Sequence, residues 1–318
     1  MDRRTVLTRG GTVVLALVVA ARTGRLAWAQ AATDFSGLGY PELAITVTDT
    51  GFDGVPTTTA AGRYLLTVTN ARSASAENAG AVGFVSPTPA GKSAADFIQY
   101  IASLAAPTGS PAATPMAEGD AGGDAMEQQL PLWVYQLRFA GGVYAASGTA
   151  QAVIDLTPGE YVVWGDDPSV PLTPVALTVT GEFPTDVQDP TTDITATLLD
   201  FAIKIEGNLT AGKHLMKVQH QGAQPHFLDI EQGPDTMTNE QVQAALMGEM
   251  SGTPVAGGLS EGDLRGVFYS PTQSIGTVTF QQIDVSDGTF LAACFFPTAG
   301  TGVPHAMNGM TEVFSVTG

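Results

Sequence analysis

Two segments 150 residues apart carry the same pattern of apolar and polar positions. Ala61-Gly62-Arg63-Tyr64-Leu65-Leu66-Thr67-Val68 and Ala211-Gly212-Lys213-His214-Leu215-Met216-Lys217-Val218 both leave a glycine turn and then alternate apolar with polar side chains. That period belongs to a strand with one buried face. Each strand is followed by a stretch of helical period: Ala94 to Leu104, with Phe97, Ile98 and Ile101 on one side, and Asn239 to Met247, with Val242, Ala245 and Leu246. The two halves also close alike. Pro158 to Trp164 and Asp287 to Ala293 are turn-then-strand signals, and Val-Thr-Gly follows at residues 179–181 and 316–318. An internal repeat of short strands, Gly/Pro turns and few helices predicts an all-β chain. The expected architecture is two tandem Greek-key β-sandwich or barrel domains, each with a short helix.

The boundaries follow from composition. Residues 34–182 and 194–318 form the two units, and residues 183–193, rich in Pro and Asp, read as the linker. Residues 105–129 are Pro-, Ala-, Gly- and acid-rich and predict an unstructured insert in the first unit; Ser251 to Gly262 is a shorter counterpart in the second. A length of 318 residues suits two domains.

Residues 1–29 read as an export signal. Arg3 and Arg4 open a basic region, Thr12 to Ala21 is apolar but short for a membrane span, and Ala27-Trp28-Ala29 offers small residues for cleavage. Arg3-Arg4-Thr5-Val6-Leu7 resembles a twin-arginine signal. The expectation is a periplasmic or extracellular protein with no stable membrane insertion once the signal is removed.

Charge narrows the partners. The net charge is −18, and residues 30–318 carry 8 basic and 30 acidic side chains. An acidic surface disfavours nucleic acid and suits a solubilising role or the steering of a basic redox protein partner. A single cysteine rules out an internal disulfide framework.

That cysteine lies in the most informative segment. Cys294 directly follows the predicted strand Asp287 to Ala293, with His305, Met307 and Met310 close behind it in a Gly- and Pro-containing loop. His226 opens an earlier strand in Gln224-Pro225-His226-Phe227-Leu228-Asp229-Ile230. Singly, a strand cysteine is an inert small hydrophobe. Jointly, thiolate, two imidazoles and a weak thioether are the donor set of blue copper.

On these residues the chain resembles the cupredoxin (type 1 blue copper) family, with a plastocyanin- or azurin-like second domain. Carried over by position, the resemblance implies one copper held by His226, Cys294, His305 and Met310, with Met307 a competitor for the axial place. The ten residues between Cys294 and His305 are similar to the long ligand loop of copper nitrite reductases. Phe227 stands where small members often carry Asn, which leaves its backbone N–H as the tie to the sulfur. In the first repeat Gly165 and Val82 fall near the places of Cys294 and His226, so that domain is expected to be metal-free.

The flanks of Cys294 are Ala293 and Phe295, and four histidines form no His-x-His pair, which argues against a second catalytic copper and against an enzyme. The expected function is an extracytoplasmic carrier of single electrons. The alternative is a non-redox exported β-protein, metal-free or using copper only for binding or storage. His214 and His220, six apart on one strand, are a lesser candidate for a second metal site.

Overall fold

The computed structural model describes residues 35–73, 80–105, 130–166, 172–250 and 258–318. The export signal and the insert over 106–129 lie outside the described residues. The chain is all-β, as expected. Its first half contains β1 (Glu42–Val47), β2 (Phe52–Asp53), β3 (Thr58–Ala60), β4 (Gly62–Asn70), β5 (Gly80–Ser86), α1 (Ala94–Ala105), β6 (Arg138–Ala145), β7 (Gly148–Leu156), β8 (Gly159–Gly165) and β9 (Val175–Thr180). The second contains β10 (Ile194–Leu199), β11 (Ala202–Gly207), β12 (Gly212–His220), β13 (His226–Gly233), α2 (Asn239–Met250), β14 (Arg265–Gln273), β15 (Val278–Val285), β16 (Gly288–Ala293) and β17 (Thr311–Val316). Residues 251–257 of the stretch read from sequence as irregular lie outside the described residues, and a 3-10 turn at Glu261–Asp263 overlaps its end; Asp263 accepts both the N–H and the hydroxyl of Ser260.

Strands of the two halves follow the same pairing order. In one sheet that order is β11-β10-β12-β15 and then β7-β4-β1-β2; in the other it is β17-β16-β13-β14 and then β6-β5-β8-β9-β3. The halves therefore meet edge to edge, and both sheets run through the whole molecule. The seams are short: Thr279, Phe280 and Gln281 of β15 face Ile154, Val153 and Ala152 of β7, while Gln273 of β14 faces Ala140 of β6. Edge pairing removes open strand edges from both units.

Side-chain parity makes the sandwich. Alternate residues of β1, β4 and β7 (Ile45, Leu66, Ile154) face Phe84 and Val163 of the other sheet in one core. A second core joins Ile194, Met216, Leu228 and Phe290 to Phe97, Phe139 and Trp164 of the first half. The segment between β9 and β10 is strapped down. Arg63 donates to Asp155, Asp189 and the Gln188 carbonyl, and Lys217 donates to Asp189.

Candidate metal centre

Parity also directs the donors. Along β16 and beyond, Phe290, Ala292, Cys294 and Phe296 point into the shared core, whereas Leu291 and Ala293 face the side where Val242 of α2 packs. On β13, Leu228 and Ile230 share that inner parity with His226, which opens the strand. Antiparallel pairing of β13 with β16 sets Asp229 opposite Ala293, so His226 and Cys294 lie at one end of the sandwich.

The long loop after Cys294 folds back as a small hairpin. Pro297 bridges Pro304, Thr298 N–H donates to the Val303 carbonyl at 2.8 Å, and Gly300 and Gly302 take positive φ values of 81° and 76° at the turn. This returns His305 to the start, where its N–H donates to the Phe296 carbonyl at 2.9 Å. Met310 then lies beside Cys294: its carbonyl accepts the Cys294 N–H at 3.2 Å and its N–H reaches the His305 carbonyl at 3.0 Å. All four candidate residues are buried. Met307 is only half-buried.

Three donor atoms converge. The Cys294 Sγ is 3.8 Å from Nδ1 of both His226 and His305, and the two Nδ1 atoms are 2.9 Å apart. The corners of such a triangle lie about 2.1 Å from one central point, close to the length of a zinc–imidazole bond. Among the described residues this is the one cluster of His, Cys, Asp or Glu with metal-binding spacing. Two nitrogens and one sulfur in this arrangement fit a soft or borderline transition metal, copper above all.

The surroundings prepare these atoms. Burial pushes the Cys294 thiol up to about 12, against the backbone N–H groups of Phe296 and Phe227 that reach its sulfur. The Phe227 contact is the backbone tie expected from sequence. Burial, reinforced by the neighbouring His305 and His220, holds His226 down to about 3; burial likewise holds His305 down to about 4. Both imidazoles are therefore neutral near pH 7 and able to donate lone pairs. Nε2 of His226 lies 3.0 Å from Asp200 Oδ1, which assigns its proton to Nε2 and leaves Nδ1 free. Nε2 of His305 lies 3.5 Å from Gln224 Oε1. Phe201 packs edge-on against His305, ring centres 5.4 Å apart.

The remaining histidines do not form a second site. His214 is held by Asp193 at 2.6 Å and the Thr210 carbonyl at 2.7 Å. His220 stacks on His226 at 4.8 Å. Asp200, Phe201 and Gln224 were not singled out from sequence. Asp200 and Phe201 form the tip between β10 and β11, and an Asp in a hairpin turn is too common to signal a role.

No family model and no curated sequence matches the chain. Solved cupredoxin structures do. A dithionite-reduced auracyanin from Roseiflexus castenholzii is 15% identical over 39% of this chain and 95% of its own, with a TM-score of 0.27. Auracyanin A, a "blue" copper protein from Chloroflexus aurantiacus, is 18% identical over 39% of this chain and 97% of its own, at 0.25. An azurin from Methylomonas sp. strain J is 12% identical over 39% and 96%, at 0.24. These overlaps are partial and distant, so the donors themselves carry the assignment of the centre.

Proposed function

We propose that the protein is a blue-copper carrier of single electrons, with one type 1 copper held by His226, Cys294 and His305 and capped by Met310. The supporting observation is the triangle of two neutral imidazole nitrogens and one cysteine sulfur, all three residues buried. Bound copper would supply a one-electron couple with little reorganisation. The chain's own residues do the rest. Buried Phe296 and Met310 exclude water from the donors. The N–H groups of Phe227 and Phe296 stabilise negative charge on the sulfur. Phe201, 37% exposed, offers a short path between His305 and the surface.

We read this as transfer and not catalysis, because no donor position remains for a substrate. The loop from Cys294 to His305 is the feature we liken to the long ligand loop of nitrite reductases. Residues 1–29 support export to the periplasm or beyond, where an acidic surface would steer a basic redox protein. Among the described residues no helix is long and apolar enough to cross a membrane.

The test is copper loading followed by visible and electron paramagnetic resonance spectra, beside Cys294→Ala. An intense band at about 600 nm with narrow parallel hyperfine splitting, lost in the variant, is the expected result. Ordinary tetragonal copper spectra in both proteins would refute the assignment.

A further inference from the structure

The tip between β10 and β11 reaches the centre with an acidic side chain. Oδ1 of Asp200 accepts Nε2–H of His226 at 3.0 Å and the Gln224 N–H at 3.1 Å, while Oδ2 accepts the Ala223 N–H at 3.0 Å. Two of these three bonds merely pin the loop before His226. The first half has a matching pin without an imidazole: Asp49, after β1, accepts the N–H and hydroxyl of Ser73, after β4. The bond to His226 is the addition.

The loop is shaped to let that bond close. A Cβ at Gly222 would lie 2.5 Å from Asp200 Oδ1 and 2.6 Å from His226 Nε2. Any side chain there would push the carboxylate and imidazole apart.

We propose that Asp200 is a positioning residue of the metal centre: it fixes the proton of His226 on Nε2, turns Nδ1 toward Cys294 and His305, and lends the imidazole negative charge that favours the oxidised metal. This rests on the copper reading above. Carboxylates behind metal-bound imidazoles raise ligand basicity, and removing them costs ten- to a hundredfold in affinity.

Three variants test it: Asp200→Asn, Gly222→Ala and, as control, Asp193→Asn, which removes the same kind of carboxylate from His214. The readouts are Cu(II) and Cu(I) affinities, the reduction potential, and the ¹⁵N shifts of His226 in the metal-free chain. Asp200→Asn and Gly222→Ala should each weaken Cu(II) about tenfold more than Cu(I), which is a rise of about 59 mV for a one-electron couple. Asp193→Asn should leave the ratio unchanged. The metal-free wild type should show a single Nε2–H tautomer at His226, and both centre variants a mixture. An unchanged affinity ratio in Asp200→Asn, an equal shift in the control, or an Nδ1–H tautomer in the wild type would overturn the proposal. A wild type that takes up no copper would sink the proposed function instead, and the tautomer measurement would still decide whether Asp200 orients His226.

Discussion

Acidifying the metal-free chain should destabilise it well above the range where carboxylates titrate. His220, His226 and His305 are buried and held down to about 4, 3 and 4 from an ordinary value of 6.5. Burial is the first cause in each case. Below pH 6.5 the unfolded chain binds protons that the folded chain refuses, so stability must rise with pH across this window. The linkage relation gives about 2 kcal/mol per imidazole between pH 8 and pH 5, or about 6 kcal/mol for the three. That is comparable to the whole stability of many domains. Asp200 and Asp189 lie below their ordinary 3.8, and their contribution is lost only as pH falls below that value, so they do not confuse the window. At the alkaline end the sign reverses. The unfolded thiol ionises from about pH 9 while Cys294 stays protonated to about 12, which costs about 1 kcal/mol at pH 10. Urea titrations of the metal-free protein from pH 4.5 to pH 10 should give a maximum between pH 7 and pH 8.5 (roughly, from these limits). A loss between pH 8 and pH 5 smaller than one imidazole's share would refute the buried, neutral assignment of the three rings.

Three further outcomes follow from the same contacts. Because both ligand imidazoles are already neutral and only the thiol must ionise, copper binding at pH 7 should release about one proton per ion; calorimetry in buffers of differing ionisation enthalpy reads this, and a release near three would contradict it. His220→Phe should keep the ring stacked on His226 while removing two buried nitrogens that find no well-aligned partner among the described residues. Stability at pH 7 should rise by about 1 kcal/mol and the acid loss should shrink by about a third, whereas an unchanged urea midpoint at pH 5 would count against it. Arg63→Ala should cost about 3 kcal/mol, because Asp155 and the Gln188 carbonyl lose their donors, and hydrogen exchange should speed up over residues 184–193; unchanged exchange there would mean that Arg63 does not strap the segment.

Much of this architecture was legible in the sequence because strands advertise themselves by parity. The alternation at Gly62 to Val68 and Gly212 to Val218 falls inside β4 and β12, and Ala94 and Asn239 are the first residues of α1 and α2. Cys294, His226 and His305 could be singled out because thiol and imidazole are scarce here and chemically distinctive, and Met310 because it follows Cys294 and His305 in the same loop. What stayed hidden depends on pairing in space. Nothing local distinguishes Gln273 or Ala152 as residues of a seam between halves, since an edge that accepts another strand has the same composition as one that meets water. Asp200 is hidden for a similar reason: 26 residues separate it from His226, and only the parallel pairing of β10 with β12 brings the two together.

The likeness of the two halves turns the centre into a comparison within one molecule. At the end of the first half that matches the donors, Gly80 opens β5, packed so tightly that a Cβ would meet Val47 at 2.9 Å. Gly165 closes β8 with Leu172 over it, and Trp164 fills the interior against Phe97 at 5.5 Å. That end is completed by these apolar contacts and by one buried carboxylate, Asp166, which accepts from Tyr269 and Thr272; no imidazole or thiol is placed there. The same strand framework in the second half buries three imidazoles and a thiol, each of which burial drives away from its charged form. A fold selected for stability alone would replace them with residues like those of the first half. Under the copper reading a bound cation would offset that cost: copper loading should therefore raise the unfolding midpoint steeply, and in Cys294→Ala most of that rise should vanish while the metal-free stability changes little. Equal stabilisation of both proteins by copper would show that the ion binds somewhere other than this triangle.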